Sequence, residues 1–210
     1  MKIGIIGSGN IGANAARLFV RAGHEVALSN SRGGQGLEAL VAELGEKSQA
    51  TTIDDAAKFG EVVLIAIPFG KYRTLSSDAF KGKVVIDAGN YYPERDGRFA
   101  EIDSDESTSS ELMASHLKAA RLVKAFNTIY FKHLASQGDP SLPLENRRAI
   151  FIAGDDSEAK EIVAHLIEEV GFVAVDNGFL HEGGRSQQPG TAVYNKDVTA
   201  KEAGALLSTD

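Results

Sequence analysis

The sequence predicts an α/β domain with a doubly wound, mainly parallel sheet of about eight strands and a short C-terminal helical extension. Three observations predict it. Short apolar runs alternate with segments of helical period along most of the chain. Glycines punctuate the junctions, as at Gly7, Gly23, Gly45 and Gly171. The first junction carries Gly7-Ser8-Gly9-Asn10-Ile11-Gly12 between an apolar run and an amphipathic one. Strands separated by helices pair in parallel through right-handed crossovers, the hand that returns a twisted strand to its own sheet.

The elements follow in order. Lys2 to Ile6 (KIGII) reads as a buried strand. Ile11, Ala15, Leu18, Phe19 and Ala22 fall on one face of a helix that Gly23 stops. His24 to Ser29 is a second strand, and Leu37, Leu40, Val41 and Leu44 mark a second helix. A weak strand at Gln49 to Ile53 and a short helix at Asp54 to Phe59 precede the most apolar strand, Val62 to Ile67, which Pro68 ends. Lys83 to Asp87, Arg121 to Phe126, Arg148 to Ala153 and Phe172 to Asp176 are further strands. Thr108 with Glu111 is a capping-box pattern, Ala159 to Val170 is a clear helix, and Thr199 with Glu202 caps a last short one. The expected division is residues 1–180 as the nucleotide-binding unit and 181–210 as a loop and short helix that complete the acceptor side.

Composition narrows the function. The 22 Lys and Arg are outnumbered by 29 Asp and Glu, a net charge of −7, which argues against nucleic acid as a partner. There is no cysteine, so disulfides, thiol catalysis and thiolate metal sites are excluded. The five histidines have no metal-ligand spacing, and no metal is expected. No run is apolar and long enough to span a membrane, and the amino terminus lacks the pattern of a secretory leader, so a cytoplasmic location is expected. The short chain and apolar loops suggest a homodimer.

The glycine turn is the strongest local signal. G-x-G-x-x-G between a buried strand and a helix, with a second strand after it, is the Rossmann-type dinucleotide pattern. Gly7 makes the tight turn, Gly9 lets a pyrophosphate approach the backbone, and Gly12 lets the helix pack closely. The helix amino terminus at Asn10 and Ile11 presents N–H groups to the anion, with Ser8 beside it. At the end of the second strand, where an NAD-binding domain usually has Asp or Glu, the chain reads Ser29-Asn30-Ser31-Arg32. A carboxylate there would repel a ribose 2′-phosphate, whereas Asn30, Ser31 and Arg32 can donate to it. The expected cofactor is therefore NADP(H).

In an open parallel sheet the ligand lies beyond the carboxyl ends of the strands. Those ends read Ile67-Pro68-Phe69, Gly89-Asn90-Tyr91-Tyr92 and Ala125-Phe126-Asn127-Thr128. Ile67, Pro68, Phe69 and Ala125 are expected against the cofactor, and Asn90, Asn127 and Thr128 at the carboxamide or a substrate oxygen. No catalytic acid or base has a convincing signature. Tyr130, His133 and His181 are the proton donors nearest these loops. Hydride transfer to a flat conjugated acceptor needs mainly two stacked rings and can run without a strong acid.

These residues resemble the deazaflavin-dependent NADP oxidoreductases, the NADPH-dependent reductases of coenzyme F420. The resemblance rests on the glycine turn, on Asn30-Ser31-Arg32, on Ala66-Ile67-Pro68, on Val123-Lys124-Ala125-Phe126-Asn127-Thr128-Ile129 and on Gly154-Asp155-Asp156, and it runs from Met1 to about Leu180. It implies a Rossmann domain with a small C-terminal part, holding NADP(H) face to face with F420 or a flavin as the small-molecule electron acceptor. By the same resemblance Ser8 to Ile11, Ser31 and Arg32 bind phosphates, Phe69 lies against the cofactor, and Asn127 and Thr128 sit near the nicotinamide. The cytoplasmic domain of metalloreductases that pass electrons from NADPH to flavin is also similar. The tail departs from the family pattern: Asn177-Gly178-Phe179-Leu180 replaces the usual Gly-Pro-Leu turn. Gly183 to Gly190 reads as a flap, an exchange arm or a disordered loop. Competing readings are an NADP(H) sensor without turnover, and an imine or hydroxy-acid reductase, which would need a helical second domain.

Overall fold

In the computed structural model, whose described residues are 1–207, the chain opens with β1 (Lys2–Ile6), α1 (Asn10–Arg21) and β2 (Glu25–Ser29). Then come α2 (Glu38–Leu44), β3 (Ser48–Thr51), α3 (Ile53–Phe59), β4 (Val62–Ile65) and β5 (Val84–Asp87). Short helices α4 (Pro93–Asp96) and α5 (Ala100–Asp103) lead to α6 (Ser109–His116), β6 (Arg121–Lys124) and α7 (Phe131–Ser136). The chain ends with β7 (Ala149–Gly154), α8 (Ser157–Glu169), β8 (Val173–Asp176), α9 (Glu182–Ser186) and α10 (Ala200–Leu207).

The strands form one eight-stranded sheet in the order β3-β2-β1-β4-β5-β6-β7-β8. Every pairing is parallel except β6 with β7, where Val123 faces Gly154 and Lys124 faces Ala153. The chain reverses its direction of travel across the sheet between β1 and β4, and the crevice beyond their carboxyl ends is where such sheets bind ligands. The expected doubly wound, mainly parallel α/β fold is what the chain adopts.

Local chemistry explains the elements. β4, β5 and β7 are buried at every position, which is why they read as unbroken apolar runs. Ala15, Leu18 and Phe19 of α1 pack with Ile3, Ile5 and Leu28 on one face of the sheet, alongside Val163, Leu166 and Ile167 of α8. The other face carries Ala56, Phe69, Tyr72, Phe80 and Met113. Thr108 caps α6 in a reciprocal box, its hydroxyl accepting the Glu111 N–H at 3.2 Å while Glu111 accepts the Thr108 N–H at 2.7 Å.

The tail folds back on the sheet. Ala149, Phe151, Val193 and Ala203 form a small third core beneath α10. The segment expected as a flap, arm or disordered loop begins as α9, with Gly183 and Gly184 buried. A Cβ on Gly183 would lie 2.8 Å from the Ala153 methyl, so glycine here permits close packing on β7 rather than a hinge. No helix among the described residues is long and apolar enough to cross a membrane.

Candidate functional site

The glycine turn joins β1 to α1, and each glycine meets different surroundings. Gly7 adopts φ +101°, and its N–H donates to the Ser29 carbonyl at 3.0 Å, tying the turn to the end of β2. A Cβ on Gly12 would fall 1.8 Å from the Gly7 carbonyl oxygen, so α1 starts directly against the turn. Gly9 is the opposite case. Its φ of −71° suits any residue, and nothing lies within 4 Å of where its Cβ would stand. As the N-cap of α1 it offers no side-chain cap, which leaves the first N–H groups of a twelve-residue helix facing that open side. This is the arrangement that receives a pyrophosphate.

The loop after β2 is organised by Asn30. Its Oδ1 accepts the N–H groups of Arg32 (2.9 Å) and Gly34 (3.2 Å), and its Nδ2 donates to the Gln35 carbonyl (2.9 Å). The Asn30 amide is thus committed to shaping the loop, a role the spacing alone did not reveal. A hollow of about 400 Å³ opens here, lined by Asn30, Ser31, Gly33, Thr52, Ile53 and Asp54. Asp54 brings a carboxylate to a corner that the segment after β2 left free of acids. Arg32 does not line the hollow. Its guanidinium lies beside Gly36 and helps hold the Glu38 carboxyl below its ordinary range, after the backbone N–H groups of Glu38 and Gly36. It makes no side-chain hydrogen bond among the described residues.

A larger cavity of about 490 Å³ lies at the switch point, within the size range of small-molecule sites. Gly9, Asn10 and Ile11 reach it from the turn, Ala66, Ile67 and Pro68 from beyond β4, and Gly89 and Asn90 from beyond β5. Phe126, Asn127, Ile129, Tyr130 and Phe131 line it from beyond β6, and Tyr194 and Asn195 from the tail. Asn127 Nδ2 donates to Asn90 Oδ1 (3.1 Å) and to the Gln187 carbonyl (2.8 Å), while Asn90 Nδ2 donates to the Asn127 carbonyl (2.9 Å). Asn127 Oδ1 is buried with no partner among the described residues. An orphan acceptor in a cavity wall is costly unless a ligand donor meets it.

Behind this wall sits a buried ion pair. Lys124 Nζ lies 3.3 Å from Asp87 Oδ2, with both side chains 1% exposed. Lys124 also donates to the Gly89 carbonyl (3.0 Å), and Ser110 Oγ donates to Asp87 (2.6 Å). Asp87 Oδ1 accepts the Gly89 N–H at 2.9 Å. This network fixes the ends of β5 and β6 where the cavity begins.

Several expected contacts are corrected. Phe69 is 1% exposed and stacks on Tyr72 in an aromatic cluster with Tyr91 and Phe99, so it belongs to the core and not to the cavity. Ala125 is fully buried beneath the wall. Thr128 is buried too and contributes a carbonyl that accepts the Asn195 N–H at 2.9 Å. Gly7 and Gly12 keep the turn and packing roles read from the sequence, and neither they nor Ser8 line the cavity. His181 pairs with Glu111 and His133 lies near Asp197, and neither lines the cavity.

The sequence reading missed Arg95, Tyr194 and Asn195 as wall residues, and it named Tyr92 only as part of a strand end. Tyr92 Oη and Tyr194 Oη are 2.6 Å apart. Burial first, and the Tyr194 hydroxyl second, push the Tyr92 hydroxyl up to about 12. Tyr92 stood in a noted strand end, but its partner is 102 positions away and no local pattern announces the pair.

With this geometry in view, residues 2–91 match the family described as NADP oxidoreductase, coenzyme F420-dependent. The matched segment runs from β1 to just beyond β5 and takes in the glycine turn. The chain is also 31% identical over 181 residues to metalloreductase STEAP3 of Rattus norvegicus, a match covering 85% of this chain and 34% of the relative. It spans about a third of the length of the curated relatives it matches. Among solved structures, the hypothetical protein SMa0349 of Sinorhizobium meliloti superposes with a TM-score of 0.83 at 29% identity, covering 95% of both chains. A protein of Arthrobacter sp. FB24, provisionally described as an F420-dependent NADP-reductase, superposes at 0.72 with 21% identity over 99% of this chain and 90% of that one. The family match ends at Tyr91, so it covers the cavity residues from the glycine turn and from beyond β4 and β5 up to Asn90, and none of those beyond β6 or in the tail.

Proposed function

We propose that this chain binds NADP(H) across the switch point and transfers a hydride between its nicotinamide and a flat acceptor of the flavin or deazaflavin type. The N–H groups at the start of α1 would hold the pyrophosphate beside Gly9. Ser31 and Arg32 would meet the 2′-phosphate, Arg32 by swinging its unbonded guanidinium over Gly33. Asn127 Oδ1 would accept from the carboxamide. The bound nucleotide supplies the hydride, and the chain supplies position, exclusion of water and a polar wall.

The observation that carries this reading is the cavity itself. It runs from Gly9 and Asn10 to a wall of Tyr92, Tyr130, Phe131 and Tyr194. With the nicotinamide end lying along it, that aromatic wall would be the surface for a second flat ring, which a protein that only senses the nucleotide does not need. The test is nucleotide oxidation, followed by loss of reduced-nicotinamide absorbance, against deazaflavin, free flavins, quinones and cyclic imines. Turnover with a flavin-type acceptor is expected. Tight NADPH binding with no turnover across the panel would replace this reading with a sensor.

A further inference from the structure

The nucleotide contacts proposed above leave the two phenols in the cavity wall unassigned. Tyr92 precedes α4 and Tyr194 comes from the tail, yet their hydroxyl oxygens are 2.6 Å apart. One hydrogen bond between two hydroxyls uses one proton. The second O–H has no acceptor among the described residues, although both rings line the cavity. The pair therefore offers one O–H to whatever enters.

The two phenols differ in one respect, a fixed cation beside Tyr92. The Arg95 guanidinium lies 4.9 Å from the Tyr92 ring centroid. It is held in place by Asp96, at 2.9 and 2.8 Å, and by the Asn90 carbonyl at 2.6 Å. A negative charge on Tyr92 would form beside this fixed cation and accept the Tyr194 hydroxyl. The opposing charge, Asp96, already spends its oxygens on Arg95 and on the Tyr92 N–H at 3.0 Å. No comparable cation lies over Tyr194 among the described residues.

We propose that Tyr92 is the proton donor to the acceptor, with Tyr194 donating into Tyr92, and that the acceptor carries a carbonyl conjugated to the carbon that receives hydride. This rests on the hydride-transfer reading above. The step balances. Hydride brings two electrons and one hydrogen to the acceptor carbon, and the conjugated C=O π pair moves onto oxygen. The Tyr92 O–H bond breaks to protonate that oxygen. The phenolate left on Tyr92 recovers a proton from Tyr194, and Tyr194 from water. Tyr92 is protonated at neutral pH, and with its hydroxyl raised to about 12, chiefly by burial, it gives up its proton only to an oxygen that is gaining negative charge.

Tyr92→Phe and Tyr194→Phe test this in the full chain, with a water-soluble naphthoquinone as acceptor. Each variant keeps its ring, so folding and the Arg95 stack are retained. Tyr92→Phe should lower kcat by roughly 10²–10⁴-fold with KM for the quinone and Kd for NADPH within about twofold of wild type. Tyr194→Phe should lose about tenfold, the worth of one hydrogen bond to the forming anion. Equilibrium binding of 4-nitrophenolate in the presence of NADP⁺ gives a second readout, expected to weaken about tenfold or more in Tyr92→Phe. Unchanged kcat in Tyr92→Phe, or equal nitrophenolate affinity, overturns the proposal. If wild type fails to oxidise NADPH with the quinone, the hydride-transfer reading is what fails there, and the nitrophenolate comparison still decides whether Tyr92 is the donor.

Discussion

Gly9→Ala adds one methyl group at the place where the turn is open, and two opposing effects on folding can be weighed. The backbone there, φ −71° and ψ −170°, is available to alanine. Removing a glycine from the unfolded chain stabilises by about 0.4–1 kcal/mol when the native conformation is unstrained. Losing glycine at an N-cap costs about the same, because alanine caps poorly. With nothing within 4 Å to clash, the net change should lie within about 0.5 kcal/mol, or a Tm shift under about 2 °C. Binding is another matter. The methyl would occupy the side from which the pyrophosphate must reach the first N–H groups of α1, and each charge-assisted bond lost is worth about 1.5–3 kcal/mol. NADPH affinity should fall by roughly 10–150-fold. Gly12→Ala is the contrast. Its Cβ would sit 1.8 Å from the Gly7 oxygen, so α1 must move away from the turn. Overpacking of that kind costs about 1–3 kcal/mol and should lower Tm by roughly 2–12 °C. Thermal melts by circular dichroism and nucleotide titrations by calorimetry read both effects. A Gly9→Ala protein that melts normally and binds NADPH as wild type does would refute the placement of the pyrophosphate.

Three further outcomes follow from the same geometry. Arg32→Ala should weaken NADPH by about 1.5–3 kcal/mol and leave NADH unchanged in paired calorimetric titrations, and equal losses for both would remove the 2′-phosphate role. Lys124→Met strands the Asp87 carboxylate in the interior and should cost about 3–5 kcal/mol in urea denaturation, a loss that Asp87→Asn in the same chain should partly restore. Asp156 accepts two bonds from Arg121, at 2.6 and 2.7 Å, and caps α8 through the Ala159 N–H, which holds its carboxyl well below the carboxylate range. Its folded pKa is below its unfolded one, so its stabilisation is present above about pH 4 and is lost as pH falls toward the folded value. Stabilities of wild type and Asp156→Asn, measured by urea denaturation across that range, should therefore differ near neutrality and converge in acid; a constant gap would contradict the linkage.

The nucleotide side was legible because its chemistry is local. A tight turn, an open approach and a close helix need glycine at positions seven, nine and twelve, and all three demands arise within six residues. Strand positions were legible for a similar reason, since runs buried on both faces announce themselves. The segments from Phe69 to Phe80 and from Pro93 to Asp103 escaped notice because they form helices of only one or two turns, too short for a period to show. Phe69 was misplaced by the same limit. Its place after β4 suggested the cavity, but the turn at Phe69–Thr74 rotates the ring inward onto Tyr72 and Phe99. Arg32 was read by position alone, which could not show its guanidinium beside Gly36.

The far wall of the cavity resists sequence reading because no contiguous segment builds it. Asn127 from beyond β6 is bound to Asn90 from beyond β5 and to Gln187 in the tail. Tyr194 meets Tyr92, and the next residue, Asn195, is tied to the Thr128 carbonyl. Each link joins a strand-end loop to another loop or to residues after α9, so the cavity keeps its shape only while the tail stays seated. That seat has its own anchor. Arg148, buried at the start of β7, pairs with Asp197 and donates to the Lys196 carbonyl, while Val193 packs on Phe151. The nucleotide turn makes none of these contacts. Chains that share the turn can therefore differ in this wall by changing the tail and the residues facing it, and the phenol pair lies in the part free to differ.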